Sequence, residues 1–172
     1  MRLTLFAAAA TALLPALPLA AQDTARAMAA ADVINRDGVS IGTVTLTLEP
    51  SGTTLVELEL DPVPPGTHAV HLHETGDCSA DDFSSAGGHI AGDMQHGIRV
   101  NDGPHPGDLP NVTVGDTGTL MADFFNPHLW IEEMILDEDG AAFIMHAGAD
   151  DYISQPAGDA GERIACGVFT SL

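Results

Sequence analysis

Apolar side chains alternate with polar ones along several short stretches of this chain. Val44, Leu46 and Leu48 are separated by threonines, and the same period of two continues through residues 55–60. Neighbouring side chains of a β-strand point to opposite faces, so this period predicts strands with one buried face. No long window has helical periodicity. Residues 61–66 contain three prolines and a glycine, which indicate a turn after the second stretch.

The same reasoning predicts further strands along the chain. These are Thr67–Glu74, Thr117–Phe124, Leu129–Ile135, Ala141–His146 and Ile164–Phe169. Short strands with Gly/Pro turns are typical of an all-β antiparallel sandwich or flattened barrel. Two segments, 75–111 and 147–162, are too long for ordinary turns, and connections of that length are usually functional or disordered. We expect one domain over residues 31–172 carrying two long functional loops.

The start of the chain has the composition of a secretory signal. Arg2 is followed by an almost wholly apolar stretch to Leu19, and small residues end at Ala21. We therefore expect a signal peptide over residues 1–21, a flexible lead-in over 22–30, and no membrane association after cleavage. An exported chain with one pair of cysteines, Cys78 and Cys166, is expected to form one disulfide, the alternative being two free buried thiols.

The charge of the chain is strongly negative. There are 25 Asp and Glu residues against five Lys and Arg, and all five cations are arginines. Removing residues 1–21 removes Arg2 and no acid, so the remaining chain has a formal charge of 4 − 25 = −21. Nucleic acids and anionic membrane surfaces repel such a chain, which excludes both as partners.

Most of the eight histidines have the spacing of metal ligands. His71 and His73 lie two apart in a predicted strand and so share a face, whereas His68 has the opposite parity. Three further histidines and a carboxylate lie in the first long loop, and one histidine ends a later strand: His89, His96, His105 and Asp108, then His146. Three imidazoles and one carboxylate can form a closed zinc site. Taken singly, each group is also compatible with surface or strand-end histidines.

The combined motifs resemble those of the copper,zinc superoxide dismutases, particularly the bacterial exported branch. The matching segments follow the order of that family over nearly all of residues 31–172. They are residues 66–74, 76–78, 85–89, 96–97, 105–111, 146–151 and 161–168. The resemblance implies a Greek-key β-sandwich of about eight antiparallel strands. One departure is that the interval from His89 to His96 is one residue shorter than the commonest family spacing.

The resemblance also implies roles for the site residues. The implied copper ligands are His71, His73, His89 and His146, and the implied zinc ligands are His89, His96, His105 and Asp108, with His89 bridging the two ions. Asp150 corresponds to the carboxylate that ties a copper histidine to a zinc histidine, here His71 to His96. Arg163 corresponds to the arginine that holds superoxide beside copper, and Cys78 and Cys166 to the disulfide.

The implied activity is the conversion of two superoxide anions to oxygen and hydrogen peroxide in the periplasm, by a possible homodimer. An alternative is a protein of the same fold that binds copper and zinc without turnover. A third possibility is a structural β-sandwich that holds zinc alone. His128, beside the aromatic residues 124–130, has no counterpart among the ligands, and those aromatics are candidates for a contact between subunits.

Overall fold

The computed structural model describes residues 28–172; the expected signal peptide and residues 22–27 lie outside them. The secondary-structure elements in chain order are β1 (Met28–Asn35), β2 (Ser40–Leu48), β3 (Thr54–Leu60), β4 (Gly66–His68), β5 (Val70–His73), a 3₁₀ turn (Ser84–Ala86), β6 (Val112–Val114), β7 (Leu120–Asn126), α1 (Ile131–Met134), β8 (Ala142–His146) and β9 (Arg163–Ser171).

Seven of the strands form one curled antiparallel sheet in the order β5-β8-β9-β1-β2-β3-β7. Strands β4 and β6 pair separately. The expected all-β fold, a Greek-key sandwich or flattened barrel of antiparallel strands, is therefore confirmed. Residues 28–172 contain nine strands against about eight expected, and β4 and β5 are two parts of one predicted strand.

The period of two places the core inside this curled sheet. Val44 pairs with Leu58 and Leu46 with Val56, and all four side chains are fully or almost fully buried. The alternate positions of β3, including Glu59, face outward. Burying each such aliphatic side chain contributes about 1.5–3 kcal/mol.

The predicted strand over Leu129–Ile135 is wrong, because residues Ile131–Met134 form the short helix α1. A strand would direct Ile131, Glu133 and Ile135 to one face and so bury a carboxylate. The helix brings Ile131 and Ile135 together in the core and leaves Glu133 exposed.

Among residues 28–172, no helix has both the length and the hydropathy needed to cross a membrane.

Other strands also differ from the expectation. β1 begins at Met28, so the last three residues of the expected lead-in belong to the sheet. Its inward side chains include Ala29 and Ala31, which are buried but too small to mark a strand by hydropathy. The predicted strand Thr67–Glu74 is divided at Ala69, whose N–H donates to the Gly148 carbonyl. β6 was not predicted.

The two long connections are confirmed, and we call residues 74–111 the first loop and residues 147–162 the second loop. The first leaves β5 and the second leaves β8, which are adjacent in the sheet. A disulfide joins Cys78 in the first loop to Cys166 in β9, with 5.9 Å between the Cα atoms. This bond ties the first loop to the strand in which Arg163 is the first residue.

Candidate metal centre

Four buried histidines direct one ring nitrogen each toward a common point. The atoms are His71 Nδ1, His73 Nε2, His89 Nε2 and His146 Nε2. They lie within 4.8 Å of one another, and none of them has a hydrogen-bond partner within residues 28–172. A buried polar atom without a partner costs about 1–3 kcal/mol. Four such atoms facing one another therefore indicate a ligand that binds them all.

The opposite nitrogen of each strand histidine is held by an acceptor. His73 Nδ1 donates to the Gly87 carbonyl and His146 Nδ1 to the Gly161 carbonyl, both at 3.0 Å. His71 Nε2 donates to Asp150 Oδ2 at 3.0 Å. Because these nitrogens carry the ring proton, the facing nitrogens are unprotonated and available to a metal.

A second donor set lies on the other side of His89. Nδ1 of His89, His96 and His105 approach Asp108 Oδ1 at 2.9, 3.0 and 3.2 Å. The other oxygen of Asp108 accepts from the Gly97 and His105 amides, which fixes the carboxylate. Three imidazole nitrogens and one carboxylate oxygen match a closed four-coordinate zinc site. His89 offers one ring nitrogen to each donor set.

Asp150 connects the two donor sets through one ring nitrogen of His71 and one ring nitrogen of His96. Its Oδ2 accepts from His71 Nε2 at 3.0 Å and its Oδ1 accepts from His96 Nε2 at 3.1 Å. All three side chains are buried. One carboxylate therefore fixes the ring orientation of a member of each set.

Arg163 lies at the start of β9, opposite His146 in the sheet. Its Nη1 donates to the Phe83 carbonyl at 2.6 Å and its Nη2 to the Gly87 carbonyl at 2.7 Å. The Gly87 oxygen thus accepts from both Arg163 and His73. Partial burial lowers the pKa of Arg163 below its usual value, but a guanidinium remains charged at neutral pH.

The two loops approach each other closely around His96 and Asp150. A Cβ on Gly97 would collide with the Tyr152 carbonyl, and a Cβ on Gly158 would collide with Asp150 Oδ1. Both glycines have positive φ, which disfavours any side chain there. Glycine at these two positions permits the contact between the loops.

The sequence profile described as copper/zinc superoxide dismutase matches residues 40–169. The chain belongs to the copper/zinc superoxide dismutase family. A relative from Aquifex aeolicus, "Superoxide dismutase [Cu-Zn] 1", is 41% identical over 144 residues, covering 80% of this chain and 85% of the relative. The superoxide dismutase of Caulobacter vibrioides is 41% identical over 140 residues, covering 77% and 80%.

Solved structures of this family have the same fold. A superoxide dismutase-like protein from Bacillus subtilis aligns with a TM-score of 0.77 at 34% identity, covering 81% of this chain and 96% of that one. The copper/zinc enzyme of Brucella abortus aligns with a TM-score of 0.67 at 27% identity, covering 82% and 98%. Membership of the family implies copper and zinc as cofactors, and the two donor sets fit both ions.

Burial keeps the three strand histidines of this site neutral. Desolvation lowers the pKa of His71 to about 3, of His73 to about 2 and of His146 to about 4. The nearby charge of Arg163 lowers the pKa of His73 and His146 further. Neutral imidazole is the form that binds metal, so these shifts keep the donors available at neutral and mildly acidic pH.

The two aspartates remain ionised for a different reason. Burial alone would raise the pKa of Asp150, but hydrogen bonds from His71, the Tyr152 amide and His96 lower it to about 2. The pKa of Asp108 is also lowered against the effect of burial, by hydrogen bonds from His89 and the Gly97 amide. The site therefore keeps two negative charges beside the places for two cations.

All the histidines and aspartates expected at the site meet in these sets. His68 turns away, as its parity predicts, with its ring nitrogens at the His146 and Pro64 carbonyls. His128 is exposed and takes no part. Sequence reasoning missed two carboxamides, Asn111 and Gln155, which bond the main chain of site residues and leave no periodic signal.

The lowered histidine pKa values predict that acid destabilises the metal-free protein. Unfolded imidazoles take up protons near pH 6.5, whereas the folded rings of His71, His73 and His146 resist protonation until about pH 3, 2 and 4. The free energy of unfolding should therefore fall as the pH drops below about 6.5, by up to about 4 kcal/mol per pH unit for three groups. Urea unfolding of metal-free protein between about pH 7 and pH 5 measures this slope.

Two variants make this measurement specific. His73→Gln should reduce the slope by about a third, because one of the three groups is removed. His128→Gln changes an exposed histidine outside the site and serves as the control. If His73→Gln and His128→Gln gave the same slope as the parent protein, burial of the site histidines would not be the source of acid sensitivity.

Proposed function

We propose that this chain converts two superoxide anions to oxygen and hydrogen peroxide. His71, His73, His89 and His146 would hold copper, and His89, His96, His105 and Asp108 would hold zinc. The observation that carries the proposal is the set of four unpaired ring nitrogens beside a positioned arginine. When bound, copper supplies alternating one-electron reduction and reoxidation, and zinc supplies a fixed charge without redox chemistry.

Arg163 would bind and orient the anion. Its guanidinium carries five N–H donors, and the two carbonyl bonds hold the group without using all of them. Its charge lowers the pKa of His73 and of His146, which supports a position of the guanidinium beside their metal-facing nitrogens. A planar, permanently charged donor at that place attracts superoxide and limits its orientation.

His89 would move one of the two protons that hydrogen peroxide needs. Its Nε2 faces the copper set, and its Nδ1 faces the zinc set. A neutral imidazole nitrogen can hold a metal or a proton, but not both. Nε2 of His89 would therefore be able to hold a proton and pass it to the forming hydrogen peroxide, and solvent would supply the second proton.

Superoxide decay catalysed by the purified mature protein, with copper and zinc counted in the same sample, tests this function. We expect fast decay that needs copper, with about one copper and one zinc per chain. Removal of copper by a chelator should abolish the activity, and adding copper back should restore it. Full copper occupancy without decay would instead indicate a metal-binding protein without turnover, and zinc without copper a structural β-sandwich.

Arg163→Ala tests the anion-binding role. Loss of a charge-assisted hydrogen bond worth about 1.5–3 kcal/mol should lower kcat/KM about 10- to 100-fold, with copper content unchanged. Arg163→Lys should retain part of the rate, since it keeps the charge but loses the planar fork. Arg99→Ala removes the same charge from an exposed arginine held at the Asp151 carbonyl, and it is the matched control.

If Arg163→Ala and Arg99→Ala had equal, small effects, the positioned guanidinium would not be the anion site. Copper counts in both variants distinguish this outcome from simple loss of metal.

Salt dependence tests how the overall charge acts on the substrate. Superoxide is an anion, and a chain with a formal charge of −21 after cleavage repels it at long range. Raising the ionic strength from about 0.01 M to about 0.15 M shortens the Debye length from about 30 Å to about 8 Å. We expect kcat/KM to rise or stay constant over this range. A steep fall would mean that local attraction by Arg163 dominates.

The same proposal includes export to the periplasm. Residues 1–21 have signal-peptide composition, and the Cys78–Cys166 disulfide is typical of an oxidising compartment. The intact mass of protein from a periplasmic extract should correspond to a chain beginning near Gln22.

A homodimer is supported by Phe125 and Trp130, whose side chains are 80% and 51% exposed. Sedimentation of Phe125→Asp against the parent tests this contact.

A further inference from the structure

The side chain of Gln155 bonds the main chain of His96 at two points. Gln155 Oε1 accepts from the His96 amide at 3.0 Å, and Gln155 Nε2 donates to the His96 carbonyl at 2.8 Å. The second Nε2 hydrogen has the Ile153 carbonyl at 3.1 Å. A carboxamide paired in this way imitates the peptide group of a neighbouring strand, although the two residues are 59 positions apart.

His96 needs this support because its segment has no regular structure. No strand or helix includes residues 87–111. Within the part of the chain that the structure describes, Gln155 alone bonds the main chain of His96. The His96 ring is held separately, by Asp108 at Nδ1 and by Asp150 at Nε2. Gln155 therefore holds the backbone from which the ring projects.

A matching contact runs in the opposite direction between the loops. Asn111 Oδ1 accepts from the Asp150 amide at 2.8 Å, and Asn111 Nδ2 donates to the Asp150 carbonyl at 2.9 Å. Thus Gln155 of the second loop holds His96 of the first, while Asn111 holds Asp150 of the second loop. The buried bond between His96 and Asp150 joins the two residues so held.

We propose that Gln155 is a positioning residue of the zinc site. Its carboxamide fixes the His96 main chain so that Nδ1 meets the other zinc donors, and so makes zinc affinity depend on the second loop. The inference rests on the zinc ligands given under the proposed function.

The test compares Gln155→Met and Gln155→Glu with a matched control. Gln155→Met keeps the length of the side chain and removes both bonds, and Gln155→Glu removes the donor to the His96 carbonyl. Gln95→Glu makes the same charge change next to His96 on an exposed side chain. Zinc affinity of the mature, disulfide-bonded protein is measured by competition with a coloured chelator. We expect the Gln155 variants to bind zinc about 10- to 100-fold more weakly and Gln95→Glu to match the parent.

Cobalt(II) absorption separates positioning from a general loss of stability. Cobalt placed in the zinc site reports ligand geometry through its visible absorption bands. A variant that is only less stable would have the same bands as the parent once it is folded and saturated with cobalt. We expect shifted or weakened bands in Gln155→Met and Gln155→Glu, with parent-like bands in Gln95→Glu. Circular dichroism of the same samples identifies the folded ones.

The outcomes distinguish this inference from the proposed function. If the parent binds zinc and cobalt but the Gln155 variants equal Gln95→Glu in affinity and spectrum, the positioning role is wrong and the zinc site stands. If the parent fails to bind zinc at all, the ligand assignment is wrong and the role of Gln155 falls with it. Unfolded Gln155 variants would overturn the inference in favour of a structural role.

Discussion

The burial of neutral histidines is the constraint on which the rest of this structure depends. Four ring nitrogens without partners cost about 4–12 kcal/mol together, which is comparable with the whole stability of an ordinary domain. Their opposite nitrogens must then be satisfied by acceptors, or the cost would be higher still. Metal binding removes this penalty, so much of the binding free energy appears as stability of the folded chain.

Some of the donor side chains lie on strands of the sheet and the others lie on the first loop. Adjacent strands β5 and β8 carry His71, His73 and His146 on a rigid ladder. On the first loop, His89 and Asp108 are joined to β5 by isolated antiparallel bridges to His73 and His71, whereas His96 and His105 have no such bridge, so further bonds must hold the loop. The disulfide to Cys166 and the two carboxamide contacts supply such bonds. Each of them joins the first loop to the second loop or to β9.

Residues in strands could be predicted from the sequence more fully than residues in the irregular loops. Strand periodicity predicted β2, β3, β8 and β9 because their buried side chains are large and alternate. It failed at β1, where buried alanines carry little signal, and over Leu129–Ile135, where a short helix buries Ile131 and Ile135. Parity predicted that His71 and His73 share a site and that His68 does not. The resemblance to a family supplied the ligand sets, which spacing alone left open.

Contacts to the main chain were beyond reach of either approach. Gln155 acts on His96 through an amide and a carbonyl that every residue possesses, so nothing in the composition of residues 90–100 predicts the pairing. The same holds for the carbonyl of Gly87. Such positions depend on how two irregular loops fold against each other, and that is a property of the tertiary structure.

In the proposed function, the Gly87 carbonyl would also link metal binding to substrate binding. Its oxygen accepts from His73 at Nδ1 and from Arg163 at Nη2, so one peptide orients a metal donor and the guanidinium that we propose binds the anion. A shift of the first loop would move both, which preserves their relative position better than two independent supports. In a chain with so large a negative charge, this matters because positive charge at the site, from Arg163 and the metal ions together, must offset the repulsion of an anionic substrate.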